Sequence, residues 1–100
     1  MLNNKESFEH KARECGISEH LIPGLFRYVV QGVIPGSCLQ AILKGDLMNA
    51  VLRADSDTLL NLRALCLFIY NEIPHRCWGA EWKLQAWAAL PQEERNRQLL

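Results

Sequence analysis

The chain is 100 residues long, enough to bury one modest core and too short for two. Hydrophobic residues make up 49% and charged residues 22%, richer in apolar side chains than a disordered segment. Eleven basic and eleven acidic residues cancel, five against five up to residue 50 and six against six beyond it, which excludes a bulk electrostatic attraction to nucleic acid or to an anionic membrane.

"MLNNKESFEH" has neither the basic start nor the apolar stretch of a signal peptide, and no apolar run reaches the roughly 20 residues of a spanning helix. A cytoplasmic protein is expected. Polar residues from Lys5 to Glu14, with Phe8 and Ala12 four apart, predict a marginal first helix ending at Gly16. Leu21, Leu25, Tyr28 and Val29 then fall on one helical face. Pro23 lies too deep for a helix capped at Ser18, so the helix is expected to begin near Pro23, with a separate turn at Ser18, and to end at Gly32.

Ser37 is the next cap candidate, before a two-turn helix with Leu39, Ile42 and Leu43 on its apolar side. Gly45-Asp46 predicts a sharp corner, and Asp46 caps a helix lined by Leu47, Ala50, Val51 and Ala54. Asp55 or Ser56 opens the longest helix, which is apolar nearly all round between Leu59 and Tyr70. Such a helix belongs at the centre of a bundle or lends its extra face to another chain. Pro74 ends it, "PHRCWG" forms a loop, and Ala80 to Leu90 place Trp82, Ala86 and Ala89 on one side. Pro91 suits the first turn of a last helix, to which Leu99 and Leu100 alone offer apolar contacts, so it is expected to fray or to need a partner. The expectation is an all-α, compact single domain of five or six short helices around a buried central helix from Thr58 to Ile73, with residues 1–17 and 91–100 peripheral.

Candidate sites are few. Cys15, Cys38, Cys66 and Cys77 show no C-x-x-C pairing and read as small core residues, not as disulfides or zinc ligands. His10 and His20 lack metal-ligand spacing and read as solvated. His75 and Cys77, two apart on a proline-initiated loop, have no third residue to orient the histidine. The chain is therefore read as no enzyme, with no cofactor and no metal.

Ile-Pro-Gly occurs twice, at Ile22-Pro23-Gly24 and Ile34-Pro35-Gly36, and only the second leads into a cap residue. Pro35, Gly36 and Ser37 there form a helix start able to hold an anion or merely to cap. Arg27, Arg53 and Arg76 would serve such a site if they converged, and Trp78 is a candidate anchor for a partner. A helix-turn-helix over residues 37–54 is disfavoured, because "DLMNAVLRAD" carries one arginine between two aspartates and an apolar majority.

Arg27-Tyr28, Gly32, Pro35-Gly36-Ser37, Leu39, Ala41, Leu43, Asp46-Leu47, Ala50, Arg53-Ala54-Asp55, Tyr70-Asn71, Pro74, Cys77-Trp78-Gly79 and Trp87 form a pattern across roughly 60 residues. It resembles a family of small, functionally uncharacterised proteins of tailed bacteriophages and prophages. Cys38 stands where an aromatic residue is expected, Gly45 where a polar one is usual and Ala80 where serine is usual, departures that bear on packing near Ser37 and on capping after Gly79. The resemblance implies phage or prophage origin, action inside a bacterium and no catalytic residues. The expected function is an accessory protein that binds and modulates or inhibits a host bacterial protein, with an anti-defence role such as CRISPR inhibition as its most concrete form. The alternative is a nucleotide- or nucleic-acid-binding module at Ser37 and nearby arginines. A third reading is self-association into a homo-oligomer.

Overall fold

Asn4 opens the first helix by accepting the Ser7 N–H on its side-chain oxygen at 3.1 Å, the arrangement that suits a short polar side chain at a helix start. The computed structural model describes residues 2–100, in which helix α1 spans Lys5–Glu14, α2 Ile22–Val29, α3 Ser37–Lys44, α4 Leu47–Arg53, α5 Ser56–Glu72, α6 Glu81–Ala89 and α7 Gln92–Gln98. Single 3-10 turns at Glu19–Leu21 and His75–Cys77 precede α2 and α6. The chain is all-α as the periodicities imply, with no strand among the described residues. Among the described residues there are seven helices instead of five or six, because both terminal segments form full helices.

α1 is polar, yet Phe8 and Ala12 are completely buried. The Phe8 ring stands edge-on to Phe26 at 5.6 Å and to Phe68 at 5.7 Å, the geometry aromatic quadrupoles prefer. α2 begins at Ile22 with Pro23 in its first turn, following the separate turn after Ser18. Ile22, Leu25, Tyr28 and Val29 are all buried. Gly24 lets α3 approach closely, since a Cβ there would lie 3.0 Å from the Leu39 side chain. α2 is the inner helix of the molecule.

α5 is not the buried centre that its composition suggests. It buries Thr58, Leu65, Phe68 and Ile69 on one side and leaves Leu60 on the other at 88% exposure. The molecule measures 36 × 29 × 19 Å, and its thinnest dimension is about two helix diameters. The side of α5 that carries Leu60 is left uncovered.

Side-chain hydrogen bonds tie α2 to the segments around it. Tyr28 donates its hydroxyl to the Cys77 carbonyl at 2.7 Å, and the Trp87 indole N–H donates to the Val29 carbonyl at 3.0 Å. Desolvation pushes the buried Tyr28 phenol far above its ordinary pKa, so it stays a donor. The Gly79 N–H meets the Leu43 carbonyl at 2.7 Å and ties the end of α3 to the loop before α6.

α7 forms a full helix that Arg95 fastens to the ends of α2 and α6. Arg95 is buried and donates to the carbonyls of Val30 at 3.3 Å, Trp87 at 3.3 Å, Ala88 at 3.3 Å and Leu90, while Gln92 accepts from it at 3.1 Å. These carbonyls end α2 and α6, where helix dipoles concentrate negative charge. Gly32, in the left-handed region at φ +72°, passes so close that a Cβ would fall 2.5 Å from the guanidinium. Leu99 is buried and its carbonyl accepts from the Leu2 N–H at 3.3 Å, so the two ends of the described chain meet. The inward face of α6 is Leu84 and Trp87, not the side that carries Trp82.

Arg95→Ala should cost about 3 kcal/mol in urea unfolding, since several buried carbonyls lose a charged donor at once. Gly32→Ala should cost at least about 1 kcal/mol from its left-handed backbone alone. The two losses should be strongly non-additive in a double-mutant cycle, because both act on the guanidinium. Additive losses would show that Arg95 and Gly32 do not share a site. Ala80 caps α6 in an extended conformation without a side-chain acceptor, so Ala80→Ser should raise stability by roughly 1 kcal/mol in the same measurement.

Candidate functional site

The Pro35-Gly36-Ser37 start differs from expectation in its capping. Gly36 occupies the cap position with φ −65° and ψ 171°, and Ser37 is the first helical residue, making no capping hydrogen bond. The helix boundary falls one residue earlier: the Gly36 carbonyl accepts the first helical hydrogen bond, from the Gln40 N–H at 2.9 Å, and the Gln40 side-chain amide donates to the Pro35 carbonyl at 2.8 Å. Ser37 is exposed and shares a cleft of roughly 160 Å³ with Gln40, Lys44, Asp46, Asn49 and Arg53. The cleft thus joins Ser37 to Arg53, with an aspartate between two cations.

The other candidate residues lie elsewhere. Arg27 borders a depression with Lys5, Glu9, Pro23 and Phe26, and Arg76 borders another with His75, Trp82, Lys83 and Leu90. The arginines therefore do not converge. Trp78 is half-buried against the core and packs its ring on His75 at 5.2 Å and Tyr70 at 5.7 Å. Trp82 is the exposed tryptophan.

The cysteines separate by position. Cys77 alone is buried, Cys15 and Cys38 are half-buried and Cys66 is exposed on α5, so the reading of four core cysteines holds only for Cys77. Burial raises the Cys77 thiol far above its ordinary pKa, the opposite of what a nucleophile needs. His10 is exposed and borders Glu14 at 3.5 Å, while His20 lies 3.3 Å from the Thr58 hydroxyl. No group of three metal-ligating side chains occurs among the described residues.

A further surface feature is apolar. α4 folds against α3 through the Gly45-Asp46 corner, and its inward contact is Ala50 alone, with Leu47, Met48 and Leu52 at 67, 70 and 75% exposure. An open groove of roughly 200 Å³ separates this hairpin from α5, lined by Ala41, Ile42, Leu47, Ala50, Leu62 and Cys66. Val51 and Leu59 are also exposed on these two helices. Exposed apolar surface of this extent on a small protein marks an interaction site more often than chance. On α5 its signal was the excess of apolar residues over one stripe. On α4 the expected apolar face exists but has no second layer to cover it.

No protein-family model, curated protein or solved structure matches the chain. No helix among the described residues is long and apolar enough to cross a membrane.

Two carboxylates hold this region in shape. The Asp46 carboxylate accepts the Asn49 side-chain amide at 2.7 Å and its backbone N–H at 3.3 Å, bonds that hold its pKa below the ordinary 3.8. Asp55 caps α5 by accepting the Thr58 N–H at 2.7 Å, and that bond, with the Thr58 hydroxyl, likewise lowers its pKa. Depressed carboxylate pKa values give stability that is fully present above 3.8, the unfolded value, and is lost as pH falls through the folded values. The urea midpoint should therefore drop below pH 3.8. An Asp46→Asn, Asp55→Asn double variant, whose amides cap without titrating, should show a shallower acid limb, and an unchanged limb would remove both caps as its cause.

Proposed function

We propose that the protein is a binding module of phage or prophage origin that occupies a host bacterial protein, docking an apolar segment of that partner in the groove between α4 and α5. The observation that carries this reading is the uncovered surface of Leu47, Met48 and Leu52 beside the groove. An amphipathic helix fits such a groove by inserting side chains at three- and four-residue spacing. The likeness of the sequence pattern to small phage proteins supports a host protein as partner, and modulation or inhibition of that host factor, including an anti-defence role, is the action proposed. Burial of the Cys77 thiol supports a binding role over catalysis through the His75 and Cys77 pair.

A second reading, a site for a nucleotide or nucleic acid, draws on the cleft that joins Ser37 to Lys44 and Arg53. Asp46 in the same cleft opposes the anion such a site would hold. The other candidate arginines lie too far off to assist.

Affinity capture from phage-infected cells should recover one dominant host protein with the wild-type chain. Leu47→Asp and Leu52→Asp should each reduce its recovery at least tenfold, while Gln85→Asp on exposed α6 leaves it intact. Recovery that survives both substitutions would place the contact elsewhere. Nucleic acid in the eluate, lost with Arg53→Ala or at high salt, would favour the second reading.

A further inference from the structure

A depression beside α6 shares no lining residue with the groove between α4 and α5. Its floor is a stripe of α6, with Trp82, Ala86 and Leu90 at four-residue spacing, backed by the buried Trp87. One wall is the 3-10 turn that carries His75 and Arg76. Its volume of roughly 290 Å³ lies at the lower end of small-molecule sites.

Charge and hydrogen-bonding capacity restrict what fits there. No carboxylate lines the depression, and its two permanent cations, Arg76 and Lys83, form no ion pair among the described residues. The acidic residues nearest in sequence, Glu72 and Glu81, pair instead with Lys11 at 3.9 Å and Lys44 at 3.6 Å. The Lys83 ammonium donates to the His75 carbonyl at 3.4 Å, which holds it at the turn that carries Arg76 and leaves it further donors. The floor offers no side-chain acceptor: Ala86 and Leu90 are aliphatic, and the Trp87 indole N–H is taken by the Val29 carbonyl at 3.0 Å. A sugar or a cation seated there would leave polar groups unpaired, which is costly. An anionic head joined to an apolar body satisfies both parts of the depression. Trp82, at 69% exposure, gives a flat body an uncovered ring to stack on. We propose that this depression binds a small aromatic carboxylate, with its head between Arg76 and Lys83 and its ring system against Trp82 and Ala86.

The test titrates the full chain with β-naphthylacetate and follows the indole N–H signals of the three tryptophans by heteronuclear NMR, with Trp82→Phe identifying the signal of Trp82. That signal should move saturably. The neutral β-naphthylacetamide should bind roughly fivefold more weakly or worse, since it lacks the charge. Arg76→Ala and Lys83→Ala should each weaken the acid roughly fivefold, and Leu47→Asp should leave it unchanged. Equal affinity for acid and amide, or a Trp82 signal unmoved by about 5 mM acid, would overturn the proposal. So would acid binding that is indifferent to both cation substitutions, or that is lost with Leu47→Asp and therefore belongs to the groove. Arg76 is exposed, so its variant and the amide keep the test decisive even where Lys83→Ala disturbs folding. Host-protein capture through Leu47 and Leu52 is read separately, so the depression and the groove can fail independently.

Discussion

The Arg95 guanidinium, inserted between the carboxyl ends of α2 and α6, is the contact on which the arrangement of the helices depends. Removing a full charge from water is expensive unless it finds strong acceptors. No carboxylate pairs with Arg95 among the described residues; it meets instead the carbonyls of Val30, Trp87, Ala88 and Leu90. Those groups need donors because a helix leaves its last carbonyls unpaired. One side chain therefore satisfies two helix ends and fastens α7, which has little apolar surface of its own. Gly32 is the matching constraint, since any side chain there would occupy the space of the guanidinium.

Many residues of the sequence pattern between Arg27 and Trp87 have architectural roles. Tyr28 reaches the Cys77 carbonyl, Trp87 reaches the Val29 carbonyl, Gly79 meets the end of α3, and Asp46 and Asp55 cap helices. A pattern built from such contacts describes how short helices are joined. Binding residues need not appear in it, and the exposed Leu52 and Leu60 do not.

Function, as proposed, follows from the apolar surface that the fold leaves uncovered. A 17-residue helix is about 26 Å long, and no described element covers its outer side at Leu60. The apolar residues that remain outside include those around the groove between α4 and α5 and Leu60 on the outer side of α5.

Local information settled much of this protein in the sequence itself. Helix caps, glycine stops and prolines act within a few residues, so the α1 region, the start at Pro23, the Gly45-Asp46 corner and the cap at Asp55 are legible there. The cap fell one residue before Ser37, at Gly36, a shift within the ambiguity of local spacing. Tertiary structure alone decided that α2 and not α5 is innermost, that Arg95 is buried, that Ser37 and Arg53 share a cleft while Arg27 and Arg76 lie apart, and that Trp82 is the exposed tryptophan. Those outcomes depend on contacts across as many as 65 residues. An apolar residue count says how much surface seeks burial, and only the packing of layers determines which of it is buried.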